Sequence, residues 1–384
     1  MTHSVFGRDP ATLRPLEIQI EGDLISAIEE IRTPTASNSD CWIAPGLVDL
    51  QVNGYRGIDL NADTICAEAV LDLTKNLANA GTTTWLPTIV TASHEDTLAR
   101  LRVIASARAL YPEVKHAIAA IHLEGPSISP QDGYRGAHSV TDIRPPLIAE
   151  FDRLQSAANG IIRLVTFSPH WQESTAYIRA LKERGVIVAI GHTNASPAQI
   201  HAAVDAGATL STHLGNGIAP ELPRHPNPIW TQLAEDRLTA TLIADGAHLS
   251  SEIFRVMLRA KTIDRAILIS DSVSLAGAPQ GEYQSPIGGS VLIGKDGAIR
   301  MPGTGLLAGS GIALQEAVAR APHLGACTLA DAIRMATHNP AVALGIARGC
   351  LHPGASADII LFRWNESDRN LQIADVLVRG TSIS

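Results

Sequence analysis

Three residues with side chains that commonly bind metal ions stand at the ends of apolar segments in this 384-residue chain. Glu124 ends AIAAIHLE, His192 follows VIVAIG and His213 ends ATLSTH. One carboxylate and two imidazoles that leave a fourth position open form a known catalytic zinc set. Taken singly, each has an ordinary alternative: a solvated loop glutamate, a histidine at a helix start, or a hydrogen-bonded core histidine. Together they predict a catalytic metal site.

Two more polar residues follow later apolar segments. Asp271 stands in AILISDS, where it could act as general base and then general acid in a hydrolysis, or could cap the next helix. His248 stands in ADGAHLS and could donate a hydrogen bond to a substrate. Asp245 in the same stretch is interpreted as a turn residue, because Asp-Gly favours turns. The sequence thus predicts a hydrolysis in which Asp271 moves the protons.

Neutral side chains end the first apolar segment, where a second metal ion would need ligands. Gln51 and Asn53 are spaced by one residue there, as two histidines are in many metal hydrolases. Neutral amides are poor ligands for a divalent transition ion, and no lysine ends the fourth segment to bridge two ions. We therefore interpret Gln51 and Asn53 as lost second-metal positions. One divalent ion per subunit is expected, with Zn as the first choice and Fe, Co or Mn as alternatives.

Eight apolar segments carry these residues, and most are separated by helical patterns such as PAQIHAAVDAGA. The segments are 42–54, 82–90, 117–125, 161–169, 186–193, 208–216, 238–246 and 266–272. Eight strand–helix units predict an α/β protein with a (β/α)8 TIM barrel, although seven or nine strands could also be argued. The active site of such a barrel lies at the C-terminal ends of its strands, so the polar residues are expected to converge there.

Both ends of the chain have the alternating pattern of antiparallel strands. Residues 15–32 alternate around a Gly-Asp turn, and residues 355–384 contain ADIILFRW and LQIADVLVRG. We expect one small β-sandwich domain formed from residues 1–45 and 350–384. The metal-dependent hydrolase barrel would then cover residues 46–349.

Composition narrows the class of protein. Hydrophobic residues make up 45% of the chain and charged residues 18%, as in globular proteins with a large core. A net charge of −8 without a basic stripe argues against a nucleic-acid partner. No signal-peptide pattern, no long apolar run and no CxxC spacing is found, so we expect a cytoplasmic protein with neither a membrane partner nor a disulfide framework.

The motifs around these residues form an ordered series that resembles the N-acetylglucosamine-6-phosphate deacetylase family of the amidohydrolase superfamily. The series is PGLVDLQVNG, HLEGPSISP with RGAH, GHTNAS, STHLGN, ADGAHLS, ISDSVSLAG, LAGS, THNPA and GASADIILF. It spans nearly the whole chain, and the order is more specific than any single motif. The resemblance implies a metal-dependent enzyme that hydrolyses the N-acetyl amide of N-acetylglucosamine 6-phosphate to glucosamine 6-phosphate and acetate.

The resemblance also implies roles for individual residues. Glu124, His192 and His213 would bind the metal ion. Asp271 would be the catalytic base and acid, and His248 would polarise the substrate carbonyl or hold a sugar hydroxyl. The other substrate-binding residues would be His138, Asn216, Gly217, Arg224 and Leu307. Arg224 stands eleven residues after His213, where the family has a phosphate-binding arginine that often serves the neighbouring subunit, so the resemblance implies a homodimer.

The chain departs from the family pattern at the phosphate end of the site. The family has an aromatic residue and then Asn-Ala-Met after the strand-six His-Leu, whereas this chain has Gly215-Asn216-Gly217-Ile218. Glycines there are expected to widen and loosen this end of the pocket. The substrate could therefore be another N-acyl sugar or an N-acyl-D-amino acid, or the protein could be a non-catalytic sugar-binding relative.

Overall fold

The structure is a computed structural model that describes residues 2–31 and 41–383. Its strands are β1 Thr2–Arg8, β2 Pro15–Glu21, β3 Leu24–Glu30, β4 Trp42–Pro45, β5 Leu47–Val52, β6 Gly54–Tyr55, β7 Ile58–Asp59, β8 Thr82–Val90, β9 Ile121–Glu124, β10 Ile162–Phe167, β11 Ile187–Ile190, β12 Leu210–Ser211, β13 Thr239–Ile243, β14 Ala266–Ile269, β15 Gly281–Ser285, β16 Gly289–Ile293, β17 Ile299–Arg300, β18 Ile359–Arg363, β19 Gln372–Val378 and β20 Thr381–Ser382.

The helices alternate with the strands over most of the chain. They are α1 Ala67–Asn79, α2 His94–Leu110, α3 Pro112–Ala117, α4 Ile148–Ala157, α5 Ser174–Glu183, α6 Pro197–Ala206, α7 Pro228–Ala234, α8 Ser251–Lys261, α9 Leu314–Leu324, α10 Leu329–Met335 and α11 His338–Leu344. Two short 3₁₀ turns cover 140–142 and 263–265. Among the described residues, no helix has both the length and the apolar character needed to cross a membrane.

Eight parallel strands form the barrel in the order β5-β8-β9-β10-β11-β12-β13-β14. Backbone hydrogen bonds join the first strand region to the last: Asp271 N donates to Gln51 O over 3.1 Å, and Asn53 N donates to Ser272 O over 2.9 Å. Each strand lies within one of the eight apolar segments. The predicted (β/α)8 TIM barrel is therefore confirmed.

The barrel strands are apolar because both of their faces are covered. Every residue of β5 (LVDLQV) and of β14 (AILI) is buried. Val48, Leu50, Ile267 and Ile269 belong to the core inside the barrel, while other strand residues pack against the surrounding helices. Strands of parallel sheets buried on both faces have nearly continuous hydrophobic sequences for this reason. The polar residues at which these apolar segments end are therefore candidates for the site.

The second domain combines strands from both termini in the order β20-β19-β18-β4-β1-β2-β3. Its apolar core includes Ile18, Ile20, Ile43 and Ile359. This arrangement confirms the small β-sandwich domain formed from both ends of the chain, although Arg32 and Ser384 of the predicted strand segments lie outside the described residues. The predicted domain limits at 45/46 and 349/350 stay a prediction.

One element was not predicted at all. Strands β15, β16 and β17 form an antiparallel sheet inserted after β14, the last barrel strand. Its first turn contains Gly288 and Gly289 with φ angles of 84° and 70°, a left-handed conformation that glycine adopts without penalty. Val291 and Ile293 pack against Val273 beside the barrel mouth. The insertion therefore forms one wall of the mouth.

Candidate active site

Four predicted site residues meet at the C-terminal ends of different barrel strands. Glu124 is the last residue of β9, while His192, His213 and Asp271 each stand two residues beyond the end of their strands, β11, β12 and β14. All four are buried. One ligand atom from each of Glu124, His192 and His213 lies within 4.8 Å of the other two. The barrel topology thus brings the predicted ligand set together.

The geometry of these three side chains fits one divalent cation. Glu124 Oε1 lies 2.9 Å from His213 Nε2 and 3.3 Å from His192 Nε2. Two ligands of a tetrahedral ion at about 2.1 Å would be about 3.4 Å apart. His192 Nδ1 donates to the Tyr134 carbonyl oxygen over 2.9 Å, which leaves the Nε2 lone pair for the ion. The donor set is one that suits Zn and several other transition ions.

Contacts with His192 and His213 favour the ionised form of Glu124. Burial alone would raise its pKa, but hydrogen bonds with His192 and His213 hold the pKa well below its usual range. The pKa of His213 is correspondingly raised, because its contacts with Glu124 outweigh the lowering effect of burial. An ionised carboxylate is the form that binds a metal ion. The electrostatics of the described residues therefore favour the ligand form of Glu124.

The backbone is strained at three of these four residues. His192, His213 and Asp271 have φ angles of 47°, 29° and 50°, in a region that non-glycine residues enter at a cost of roughly 1–3 kcal/mol each. Neighbouring elements hold them in place; for example, His213 N donates to Thr241 Oγ1 over 2.7 Å. Strain of this kind clusters at functional sites in proteins. Its coincidence with the predicted ligands supports an active site here.

Asp271 is held through one of its two oxygens. Asn53 Nδ2 donates to Asp271 Oδ1 over 2.8 Å, and Gln51 Nε2 donates to the same oxygen over 3.0 Å. Gln51 Nε2 also lies 3.1 Å from Glu124 Oε1. These contacts leave Asp271 Oδ2 free for proton transfer. Sequence reasoning treated Gln51 and Asn53 only as lost second-metal positions and missed this role; the signal was that the first and last strands are neighbours in a closed barrel.

Burial also prepares Asp271 to take up a proton. The pKa of this carboxyl group is raised, first by burial and also by the charge of Glu124, while His213 and the amide of Asn53 oppose the shift. A general base works best when its pKa lies near the pH at which the enzyme operates. The direction of this shift therefore suits the predicted acid–base role.

A cavity of about 210 Å³ opens directly onto these residues. Its walls contain most of the predicted site, namely Asn53, Glu124, His138, His192, His213, Asn216, Gly217, His248, Asp271 and Leu307. Ile287 from the unpredicted insertion is also part of the wall. Gln51 lies beneath the cavity, where it reaches Glu124 and Asp271.

His138 enters this cavity as a neutral ring. Its Nδ1 lies 2.9 Å from Thr91 Oγ1, and its ring centroid is 4.5 Å from that of His192. Burial, together with the neighbouring charge of His192, lowers the pKa of His138 to about 3. A neutral imidazole has one donor and one acceptor nitrogen. His138 can therefore form a polar contact with a ligand without adding charge to the site.

The structure does not place Arg224 in this cavity. Its side chain is exposed in the loop before α7. The residues that line the cavity, all within the described part of the chain, include neither lysine nor arginine. A single chain therefore supplies neither a lysine nor an arginine to an anionic group bound there.

The two glycines at the end of strand six lie very close to neighbouring side chains. A Cβ atom at Gly217 would lie 2.5 Å from His192 Nδ1, and one at Gly215 would lie 2.8 Å from Met257 Cε. Both glycines have positive φ angles, 57° and 94°. Both glycines let the loop pack closely against His192 and α8. The expected widening of the pocket stays a prediction.

The side chain of Asp245 makes a buried contact near the site that the sequence analysis did not predict. Its Oδ2 lies 2.7 Å from His248 Nδ1, and only 5% of either side chain is exposed. The turn interpretation was incomplete, because Asp245 Oδ1 accepts the backbone N–H groups of Ala247 and His248 in that turn while Oδ2 contacts the imidazole. The spacing of three residues in ADGAH was the available signal.

Known proteins resemble this chain over nearly its whole length. Residues 42–383 match the amidohydrolase family. The chain is similar to the N-acetylgalactosamine-6-phosphate deacetylase of Escherichia coli O157:H7, with 32% identity over 391 residues that cover 99% of each protein. It is also 32% identical to the N-acetylglucosamine-6-phosphate deacetylase of Bacillus subtilis over 342 residues, which cover 87% of this chain and 82% of that protein.

A solved structure has the same fold over its full length. It is a mutant of the N-acetyl-D-glucosamine-6-phosphate deacetylase of Mycobacterium smegmatis in complex with N-acetyl-D-glucosamine-6-phosphate. The TM-score is 0.87 at 29% identity, with 99% of each chain covered. Both domains therefore have a counterpart in a single known architecture.

Proposed function

The chain belongs to the amidohydrolase family, and from that premise we propose that it is a metal-dependent deacetylase of N-acetylglucosamine 6-phosphate. It would hydrolyse the N-acetyl amide to give glucosamine 6-phosphate and acetate. The observation that carries the proposal is the buried set of Glu124, His192 and His213 facing Asp271 at the mouth of the barrel. Relatives with this activity in their names, at about 30% identity over most of the chain, support the choice of substrate.

Glu124, His192 and His213 would hold one divalent ion, with Zn as the first choice and Fe, Co or Mn as alternatives. When bound, such an ion acidifies a water molecule and polarises the amide carbonyl. Gln51 and Asn53 are engaged as hydrogen-bond donors to carboxylates, which supports a single ion per subunit.

Asp271 would carry the proton through the reaction. Its Oδ2 takes a proton from the attacking water as the oxygen bonds to the acetyl carbon, and Oδ1 stays fixed by the amides of Asn53 and Gln51. The same proton is then delivered to the leaving nitrogen as the carbon–nitrogen bond breaks. Acetate and the free amino sugar result, and Asp271 returns to its carboxylate form. His138 and His248 line the cavity on either side and would contact the sugar and the acetyl group.

A second substrate, N-acetylgalactosamine 6-phosphate, is favoured by one specific observation. The relative named for that activity matches this chain over 99% of both proteins. The two sugars differ only in the configuration of one ring hydroxyl, so the metal ligands and Asp271 would act in the same way on both. The two activities are therefore one chemistry with different sugar recognition.

We also propose that the protein is a homodimer in which Arg224 of the partner subunit binds the phosphate. The cavity walls contain no lysine or arginine among the described residues, whereas Arg224 is exposed. Helices α7 and α8, which follow the Arg224 loop in sequence and pack together, expose Trp230 (52%), Ile253 (47%) and Val256 (50%). A dimer would cover such side chains. The four unpaired cysteines support a cytoplasmic location.

Acetate release from a panel of substrates tests the proposal. The panel holds the 6-phosphates of N-acetylglucosamine and N-acetylgalactosamine, the same sugars without phosphate, and an N-acetyl-D-amino acid. We expect the highest kcat/KM for a phosphorylated sugar. Preference for the amino acid would instead favour an N-acyl-D-amino-acid deacylase. Release of no acetate from any compound by metal-loaded protein would favour a non-catalytic sugar-binding relative.

A further inference from the structure

Asp245 and His248 form a buried pair at the edge of the cavity. Asp245 follows β13, and its Oδ1 accepts the backbone N–H groups of Ala247 and His248, each over 2.8 Å. Its Oδ2 lies 2.7 Å from His248 Nδ1. All of the contacts to the carboxyl group thus come from donors. The arrangement is that of a carboxylate that orients an imidazole ring.

The contacts determine where the protons of this pair lie. Burial alone would raise the pKa of Asp245, but the hydrogen bond and charge of His248 and the two backbone donors lower it below its usual range. An ionised carboxylate can only accept, so the shared proton is on His248 Nδ1. His248 lines the cavity, and Nε2 is the ring nitrogen left for a ligand.

Whether Nε2 carries a proton determines which ligand atoms can form a hydrogen bond with His248. A neutral ring with its proton on Nδ1 can only accept a hydrogen bond at Nε2. The carbonyl oxygen of an N-acetyl group also only accepts, so the two would not pair. An imidazolium carries protons on both nitrogens and can donate from Nε2 to that oxygen. The Asp245 carboxylate lies 2.7 Å from Nδ1 and only 5% of either side chain is exposed, so an imidazolium at this position would have its counter-ion buried beside it.

We propose that Asp245 is a positioning residue that fixes the orientation of His248 and acts as the counter-ion of its imidazolium form, so that His248 donates from Nε2 to the acyl oxygen. This inference rests on the proposed deacetylase function. As the oxygen gains negative charge during attack, a donor fixed in advance stabilises it more than it stabilises the substrate. Asp245 acts through His248 and does not itself contact the substrate.

The surroundings hold Asp245 in this position. Arg320 Nη1 donates to the Asp245 carbonyl oxygen over 3.1 Å, and Arg320 pairs with Glu316 over 3.0 Å within α9. The remaining charged groups whose fields reach the pair are Asp271 from the end of β14, which interacts with His248, and Arg300 from β17, which interacts with Asp245. Arg320 of helix α9 thus holds Asp245 in place, and the imidazole of His248 lines the cavity.

Replacement of Asp245 by asparagine removes the charge of the carboxylate while the side chain keeps nearly the same size and shape. In Asp245→Asn, Oδ1 can still accept the two backbone N–H groups, while Nδ2 takes the place of Oδ2 and donates to His248 Nδ1. The carboxylate counter-ion is then lost, so His248 can donate from Nε2 only as a neutral and weaker donor. We expect kcat to fall by about 10–100-fold, in line with the loss of other groups that orient functional histidines. KM is expected to change by less than about threefold, because charge on the acyl oxygen develops mainly after binding.

Long-range ¹⁵N–¹H spectra of the histidine rings provide the second measurement. Wild-type His248 is expected to show a protonated Nδ1, and Asp245→Asn an unprotonated one, with the signal assigned through His248→Ala. Asp205→Asn, an exposed carboxylate paired with Arg237, is the matched control. It should leave the spectrum and kcat unchanged.

Three outcomes would overturn the inference. The first is an unprotonated Nδ1 in the wild-type protein. The second is an altered tautomer in Asp245→Asn with unchanged kcat. The third is a loss of activity in Asp245→Asn that only follows a loss of folded protein, measured by melting temperature and metal content. If the wild type releases no acetate, the proposed function fails, and the spectra alone still decide whether Asp245 sets the tautomer of His248.

Discussion

Asn53 Nδ2 lies 2.8 Å from Asp271 Oδ1, and this contact links the first barrel strand to the last across the active site. Gln51 makes a parallel contact to the same oxygen. In this chain, positions that could have carried ligands for a second ion instead carry amide donors that hold the carboxylate proposed to transfer the proton. The proposed single-ion site and the orientation of Asp271 therefore have a common structural origin.

We expect Asn53→Ala to lower kcat by about 10–100-fold while the metal content stays at one ion per chain. Loss of a hydrogen bond to a charged group costs roughly 1.5–3 kcal/mol, and each 1.4 kcal/mol is about tenfold in rate. Steady-state kinetics and elemental analysis measure the two quantities. Asn365→Ala, at an exposed position in the terminal domain, serves as the control. A loss of bound metal in Asn53→Ala would contradict the orienting role.

Glu124→Gln should remove both the metal ion and the activity. The amide has no charge to offer the ion or the two histidines that contact the carboxylate. We expect elemental analysis after dialysis to show less than a tenth of the wild-type metal content. This expectation corresponds to a loss of roughly tenfold or more in affinity for the ion. Glu113→Gln, exposed on α3, is the control. Full metal content in Glu124→Gln would mean that the ion is held elsewhere.

The sequence was sufficient to predict the eight strands and the meeting of Glu124, His192 and His213. Apolar segments buried on two faces have a distinct pattern, and parallel barrel topology places all of their C-terminal ends at one mouth. Residues at those ends must then converge, whatever their distance along the chain.

Contacts that depend on detailed neighbours could not be predicted. The amides of Gln51 and Asn53 bind Asp271 only because the barrel closes between β5 and β14. Gly217 is required because its loop passes against the ring of His192, which no local pattern reveals. The insertion β15–β17 also lacked a prediction, since its short strands lie outside the strand–helix repeat.

Arg224→Ala should raise KM for the phosphorylated sugar by about tenfold or more, because a guanidinium–phosphate contact contributes at least about 1.4 kcal/mol to binding. Activity on the sugar without phosphate should not change. Arg363→Ala, exposed on β18, is the control. Light scattering should give twice the mass of one chain for wild type and variant alike. A monomeric wild type, or an unchanged KM in Arg224→Ala, would contradict phosphate binding across a dimer.

Asp49 should make the folded protein less stable as the pH rises through the acidic range. Its side chain is fully buried, and burial raises the pKa to about 7 from 3.8, against the effect of backbone donors at Ser270 and Gln51. Between these two pH values the folded chain binds a proton that the unfolded chain has released, so stability falls with increasing pH over that interval. Above about pH 7 both states are ionised, and the full cost of the buried charge remains.

Asp49→Asn removes that titration and should reduce the difference in melting temperature between pH 5 and pH 8. The comparison uses the same metal-loaded protein at constant ionic strength, so the contribution of the ion is shared by wild type and variant. Asp63→Asn, an exposed carboxylate paired with Arg100, is the control and should keep the wild-type difference. If Asp49→Asn shows the same pH dependence as the wild type, the carboxyl group of Asp49 is ionised throughout this range.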